Sequence, residues 1–287
     1  MAISYSHRLG QIIGESLENA IEPFLKKFAR EHKLYFDKKG HRPARSGTKL
    51  TWIDINQNKH DLDFVLERNG TKEQTGTPIA FIECAWRRYT KHSRNKAQEI
   101  QGAVIPLYEK YKKVNPFIGV ILAGEFTENS LTQLKSLGFS ILYFPYNKIV
   151  DAFSTEGIDV FFDEKTKETY FAKQVKAWNV LTEQQKEKVY KKIAKLNLSE
   201  IGQFTSKLES KLSREIVKVG LWTMFGKQYI FGTIEKAKEF IINTDVKNIS
   251  PEFCQYIAEI EYSNGDTIKV SYHDQDEMLC FLSTFVS

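Results

Sequence analysis

A mixed α/β (α+β) fold is what this sequence predicts: a central mixed sheet flanked by helices, followed by a C-terminal α+β region. Three observations lead there. Strand-like apolar runs alternate with amphipathic stretches of helical period through the first 145 residues, as in a sheet with helices packed on it. One run, "IAFIECA" (79–85), is apolar almost throughout and reads as a strand central in the sheet. From 168 to 214 the composition turns rich in Lys, Glu and Gln with helical spacing, and strand and hairpin patterning then returns.

The first element is a helix over 7–31, where Leu9, Ile13, Leu17, Ile21, Leu25 and Phe28 recur at three- and four-residue spacing. A basic loop containing Gly and Pro follows at 37–49. "KLTWIDI" and "HDLDFVLE" read as two strands joined by the turn-forming "NQNK", and "GTKEQTGTP" as a loop before the strand at 79–85. A helix over 93–112 carries Ala97, Ile100, Val104, Leu107 and Tyr111 as its stripe, with Ser93 as cap. "FIGVILAG" (117–124) is a buried strand, 127–138 a short helix capped by Thr127 and stopped at Gly138, and "FSILYFP" (139–145) a further strand. The change of composition places a domain boundary near 160, giving regions 1–160 and 161–287. In the second, 216–232 reads as a strand pair, 233–243 as a capped helix, 256–273 as a hairpin turning at Asn264-Gly265, and 274–285 as a closing helix.

A net charge of +5 permits a polyanionic partner without requiring one, but the basic residues are unevenly placed. Residues 26–49 hold nine Lys/Arg against two acids, and residues 86–113 hold eight against two. Cys84, Cys254 and Cys280 fit no metal spacing, and so few cysteines suit a reducing cytoplasm. No apolar h-region marks the first residues and no run reaches transmembrane length, so a cytoplasmic protein without membrane association is expected. The absence of a GxxxxGK[ST] loop removes the usual nucleotide-hydrolase readings, and His41, His60 and His92 match no HExxH or ββα-metal spacing.

Several carboxylates are placed where strand ends meet. Asp61 and Asp63 alternate in "HDLDFVLE" and so are expected on one strand face; Glu83 ends the next apolar run; Glu15 and Glu18 lie on the first helix. Carboxylates from adjacent strands suit Mg²⁺, which takes oxygen ligands and keeps places for water and phosphate oxygens. Arg42, Arg45 and Lys49 in the basic loop, with Arg87, Arg88, Lys91 and Arg94, would hold a phosphate backbone beside such an ion. Arg87, Arg88, Arg94, Asn95 and Gln98 are also of the types that read guanine and adenine edges. The competing structural readings are solvent-facing carboxylates, a solvated basic face and tryptophans (Trp52, Trp86, Trp222) placed in cores or interfaces.

The order of a Glu-bearing helix, a basic loop, "DLDFVLE", about twenty residues to "FIECA" and then a basic helix resembles the PD-(D/E)XK nuclease superfamily, and within it type II restriction endonucleases. The resemblance covers roughly residues 7–145 and rests on a short, degenerate motif. It implies a restriction-endonuclease-like core with Asp63 (or Asp61) and Glu83 as Mg²⁺ ligands and Glu18 as the assisting helical carboxylate. Two departures stand out: no Pro precedes either Asp, and Ala85 occupies the place of the family's Lys. Lys96 is the favoured replacement, with Lys91 and Arg87 as alternatives. The implied activity is sequence-specific cleavage of double-stranded DNA by metal-activated water, in a homodimer partnered in its system by a cognate DNA methyltransferase. The alternatives are a Holliday-junction or repair nuclease of the same fold, and a DNA-binding protein whose nuclease site has decayed.

Overall fold

The computed structural model describes residues 4–223, 228–244 and 255–286. Two compact units divide them: Met1–Tyr111 with Pro116–Leu208, and Lys112–Asn115 with Glu209–Ser287.

The first unit opens with α1 (Tyr5–Glu31), whose Ser4 side chain accepts from the His7 N–H as an N-cap. The strands β1 (Tyr35–Lys38), β4 (Phe64–Arg68), β5 (Thr77–Arg87), β6 (Phe117–Gly124) and β7 (Ser140–Pro145) form one five-stranded sheet in the order β1-β4-β5-β6-β7. The pairs β1–β4 and β4–β5 are antiparallel, while β5–β6 and β6–β7 are parallel, so the sheet is mixed with β5 at its centre. All eight residues of β6 are buried, which is why it reads as an unbroken apolar run. On β5, Phe81 and Ala85 belong to a buried cluster with Val120 and Leu122 of β6 and with α2 (Ser93–Lys110) and α3 (Glu128–Ser136). The alternate residues of β5 turn to the other face, where α1 runs. Gly124 closes β6 with φ 99°, and a Cβ there would lie 2.0 Å from the Arg87 carbonyl, so glycine is required.

The segment expected as one strand over 60–67 is two. β2 (Thr51–Ile53) and β3 (Lys59–Asp61) form a separate antiparallel ribbon, and the chain bends at Leu62–Asp63 before entering β4. Asp61 and Asp63 therefore do not share a strand face. The ribbon's turn is held by Asp54, whose carboxylate accepts from the Asn56 and Asn58 N–H groups and bonds the His60 ring. These bonds, His60 first among them once burial is opposed, hold Asp54 down at about 2.

Two elements were not expected, besides a 3-10 turn at Thr90–His92. β1 is "YFDK" and takes in Asp37 and Lys38, the first two residues of the expected basic loop, and α4 (Tyr146–Ser154) follows β7 directly. The first unit also extends past the expected division at 160–161. The helices α5 (Glu168–Asn179) and α6 (Glu183–Lys195) pack on α1, and the unit ends within α7 (Leu198–Leu212). Composition shifts from 168 because these helices have solvated outer faces; Phe171, Val175, Trp178, Val189 and Ile193 are nonetheless buried.

In the second unit, β8 (Ile216–Thr223), β9 (Tyr229–Phe231), β10 (Tyr256–Tyr262) and β11 (Thr267–Tyr272) form an antiparallel sheet in the order β11-β10-β8-β9. α8 (Ile234–Asn243) and α9 (Gln275–Ser283) complete its core with Val219, Leu221, Ala258, Ile260, Met278 and Phe281. The expected hairpin is present, with Gly265 at φ 85° in its turn. Cys254 lies outside the described residues.

Candidate active site

The register of the β4–β5 hairpin builds the site. Phe64 pairs with Ile82, so Asp63 and Glu83 are the next residues on the two strands. β4 starts there, whereas β5 runs four residues further, paired on its other side with β6 as far as Arg87. Glu83 thus does not end its strand, as expected from the sequence. It stands where the neighbouring strand begins, and the opened edge of β5 faces Asp63. The Cys84 N–H donates to Asp63 Oδ2 at 2.7 Å, fixing that carboxylate against the strand.

Glu18 of α1 and Lys96 from the first turn of α2 join this pair. Burial pushes the Glu83 carboxyl well above its ordinary value, with Asp63 and Glu18 adding to the rise and Lys96 opposing it. Asp63 is raised by burial, against the Cys84 N–H, Lys39 and Lys96. Glu18 is raised by burial and then by Asp63, although Lys39 bonds it at 3.0 Å. Three carboxylates and two ammonium groups thus sense one another at one end of a hairpin. Cys84, beside them, has its thiol pushed up by burial and then by Asp63, Glu18 and Glu83, so it is a poor nucleophile.

Glu83 Oε1 is buried and has no hydrogen-bond partner among the described residues. Such an atom costs about 1–3 kcal/mol unless something completes it. A hard cation is one group that would do so, and an all-oxygen donor pair from Asp63 and Glu83 fits Mg²⁺, which commonly takes one or two carboxylates and fills its other places with water and phosphate. Among the described residues no three His, Cys, Asp or Glu side chains form a ready-made metal cage, so any such ion would rely on those outside ligands.

The other expected site residues divide sharply. Asp61 is engaged on the β2–β3 ribbon: it bonds Lys49 at 2.5 Å and Thr51 at 2.6 Å, which lower it, and it is half exposed. Arg42 is buried, and its guanidinium bonds Asp37 at 2.6 Å, Glu67 at 2.6 and 3.0 Å, and the Thr71 and Gln74 carbonyls. Arg45 is engaged by Asp37 and the carbonyls of Lys38 and Gly40. Arg42 therefore cannot be a DNA contact, and Arg45 is committed to the same knot; the Pro- and Gly-containing loop is basic because it is stapled to buried acids. Lys91 pairs with Glu164, and Arg87 bonds the Trp86 carbonyl and lies 3.7 Å from Glu99. Arg88 donates to the Phe162 carbonyl and lies over the Tyr146 ring at 4.1 Å. Arg94, Asn95 and Gln98 are exposed on α2. Of the three cations considered as replacements at Ala85, Lys96 is the one whose charge acts on both Asp63 and Glu83.

Ala85 is buried in the cluster that holds Ala97. A small residue there admits the first turn of α2 over the strand and so brings Lys96 to the carboxylates. The residue that sequence reasoning missed is Lys39, seen only as part of a basic loop. Burial would lower its ammonium, but Glu18, Asp63 and Glu15 outweigh burial and raise it. Its position after β1 would have been legible only if that strand had been recognised.

No family model matches the sequence, and no curated protein matches it. Comparison with solved structures finds "Crystal Structure of Protein of Unknown Function AF1548", at 12% identity and a TM-score of 0.30, over 68% of this chain and 98% of that one. Among the described residues no helix is long and apolar enough to cross a membrane.

Proposed function

We propose that the protein is a Mg²⁺-dependent endonuclease acting on double-stranded DNA, with sequence-specific cleavage of the type II restriction kind as its expected form. The observation that carries this is the register that sets Asp63 beside Glu83 at the start of β4, with a buried Glu83 oxygen that has no partner among the described residues. Asp63 and Glu83 would hold the ion. When bound, Mg²⁺ polarises a phosphoryl oxygen and lowers the pKa of its water. Lys96 offsets the charge of both acids and would serve as a donor to a scissile phosphate or attacking water. Glu18, tethered by Lys39, closes the acidic cluster from the α1 side. Exposed Arg94, Asn95 and Gln98 on the same helix as Lys96 are available to contact the duplex.

The test is incubation of the purified chain with mixed-sequence duplex DNA and Mg²⁺. Discrete fragments, lost in Glu83→Gln and in Asp63→Asn, are expected. Cutting confined to branched DNA would move the reading to a junction nuclease. DNA binding without cleavage, unchanged by Glu83→Gln, would sink the catalytic reading.

A further inference from the structure

A cavity of about 730 Å³ lies within the first unit beside the carboxylates, bounded by the end of β5 beyond Glu83 and by the starts of α1 and α2. Its lining joins two chemistries. Arg87, Arg88, His92 and Lys96 supply positive charge or hydrogen-bond donors, and Trp86 and Phe162 supply aromatic surface. Neither Asp63 nor Glu83 lines the cavity; Cys84 and Lys96 do, and Lys96 also acts electrostatically on both acids, so the cavity neighbours the acid pair.

A second observation comes from α1. Gly10 and Gly14 stand one turn apart in the interior of a 27-residue helix, and both line the cavity. Glycine is the least favourable residue there apart from proline, so a reason is needed. Among the described residues packing supplies none: a Cβ on Gly14 would meet nothing within 4 Å, and one on Gly10 would meet the Trp86 indole nitrogen at 3.9 Å. The bare helix surface instead widens the cavity and lets a flat group lie against the backbone.

We infer that this cavity receives a single unstacked nucleotide of the DNA strand, with its phosphate toward Lys96 and Arg87 and its base or sugar over the glycines beside Trp86. This rests on the nuclease reading for its choice of a DNA strand. The cleft is open to solvent, and its volume lies in the range of small-ligand pockets and is large enough for one nucleotide entering from a strand. Glu99, which is exposed, lies 3.2 Å from Lys96 and 3.7 Å from Arg87 and occupies the charge that a phosphate would take.

Calorimetric titration of the full chain with thymidine 5′-monophosphate, in EDTA, tests this without cleavage. Saturable binding at one site is expected, with inorganic phosphate weaker by about tenfold or more because it lacks the stacking group. Filling the floor with Gly10→Ala/Gly14→Leu should weaken nucleotide binding by about tenfold or more while leaving the melting temperature equal or higher, since both replacements favour helix. Glu99→Gln should tighten binding. Absence of nucleotide binding, equal binding of phosphate and nucleotide, or indifference to the filled floor overturns the inference. Cleavage of DNA by a chain that fails this titration leaves the nuclease reading standing and removes the nucleotide site. Binding as expected by a chain that never cuts DNA with Mg²⁺ keeps the site and removes the nuclease reading.

Discussion

Glu83 is a carboxylate held where its charge is unwelcome, and this has a thermodynamic sign. Its folded pKa is raised by burial and by Asp63, so the folded chain holds a proton that the unfolded chain has lost. Stability is thus highest below the ordinary glutamate pKa and falls as pH rises through the raised folded value. Glu83→Gln is expected to raise the melting temperature at pH 8, by about 2–4 °C if the relief is on the order of 1 kcal/mol. The difference should vanish near pH 4, where wild-type Glu83 is also neutral; thermal scans at the two pH values check this. Mg²⁺ should raise the melting temperature of the wild type and not of the variant. The opposite sign holds at Asp54, whose pKa is lowered to about 2. Its contribution is present above the usual aspartate pKa and is lost as pH falls from about 4 toward 2, so Asp54→Asn should narrow the acid dependence of unfolding. Ala85→Lys, which restores the family's residue on paper, should fail to improve cleavage and should destabilise by about 1–3 kcal/mol, read in urea titrations, because the site is buried under α2.

At the scale of elements, the loop after β1 is held by two guanidiniums, of which Arg42 makes the wider set of contacts. Arg42 spans Asp37 on β1, Glu67 on β4 and the carbonyls of Thr71 and Gln74 in the β4–β5 loop, and it lies over the Tyr35 ring at 4.2 Å. Removing it leaves the buried Glu67 without a cation and Asp37 with Arg45 alone, so Arg42→Ala should cost about 3–5 kcal/mol in denaturant unfolding. An Arg42 that served only DNA would leave stability unchanged. This network also shows what the sequence could and could not reveal. β6, α2 and α3 were legible to within a residue or two because one strong pattern governs each: complete burial, an apolar stripe, or a Thr127 cap. "HDLDFVLE" was misread as one strand because its alternation is continuous, while the bend at Leu62–Asp63 has no Gly or Pro to announce it. Arg42 and Arg45 looked like a phosphate-binding surface because pairing with Asp37 and Glu67 is a tertiary fact; charge in a loop carries no label of its partner. Asp63, Glu83 and Lys96 were found together because strand ends and helix starts converge by topology, which the order of elements does encode.

At the scale of the whole molecule, two compact units with separate cores predict separable unfolding. Ile260→Ala, in the core of the second unit, should cost about 2–5 kcal/mol there and leave the transition of the first unit in place by calorimetry. The expected boundary at 160 was displaced because charge density reports what faces water, whereas the unit is set by what packs on α1. One consequence of the β4–β5 hairpin reaches beyond this chain. Its connecting loop, 69–76, lies at the end opposite the acid pair, four steps along the ladder from Phe64 and Ile82. The number of residues between the two acids can therefore change by whole loops without moving either carboxylate, while a one-residue slip of the ladder would turn one of them to the far face. A search for such sites keyed to the interval between acids looks at the variable quantity; the invariant is a pairing, one step beyond Phe64 and Ile82.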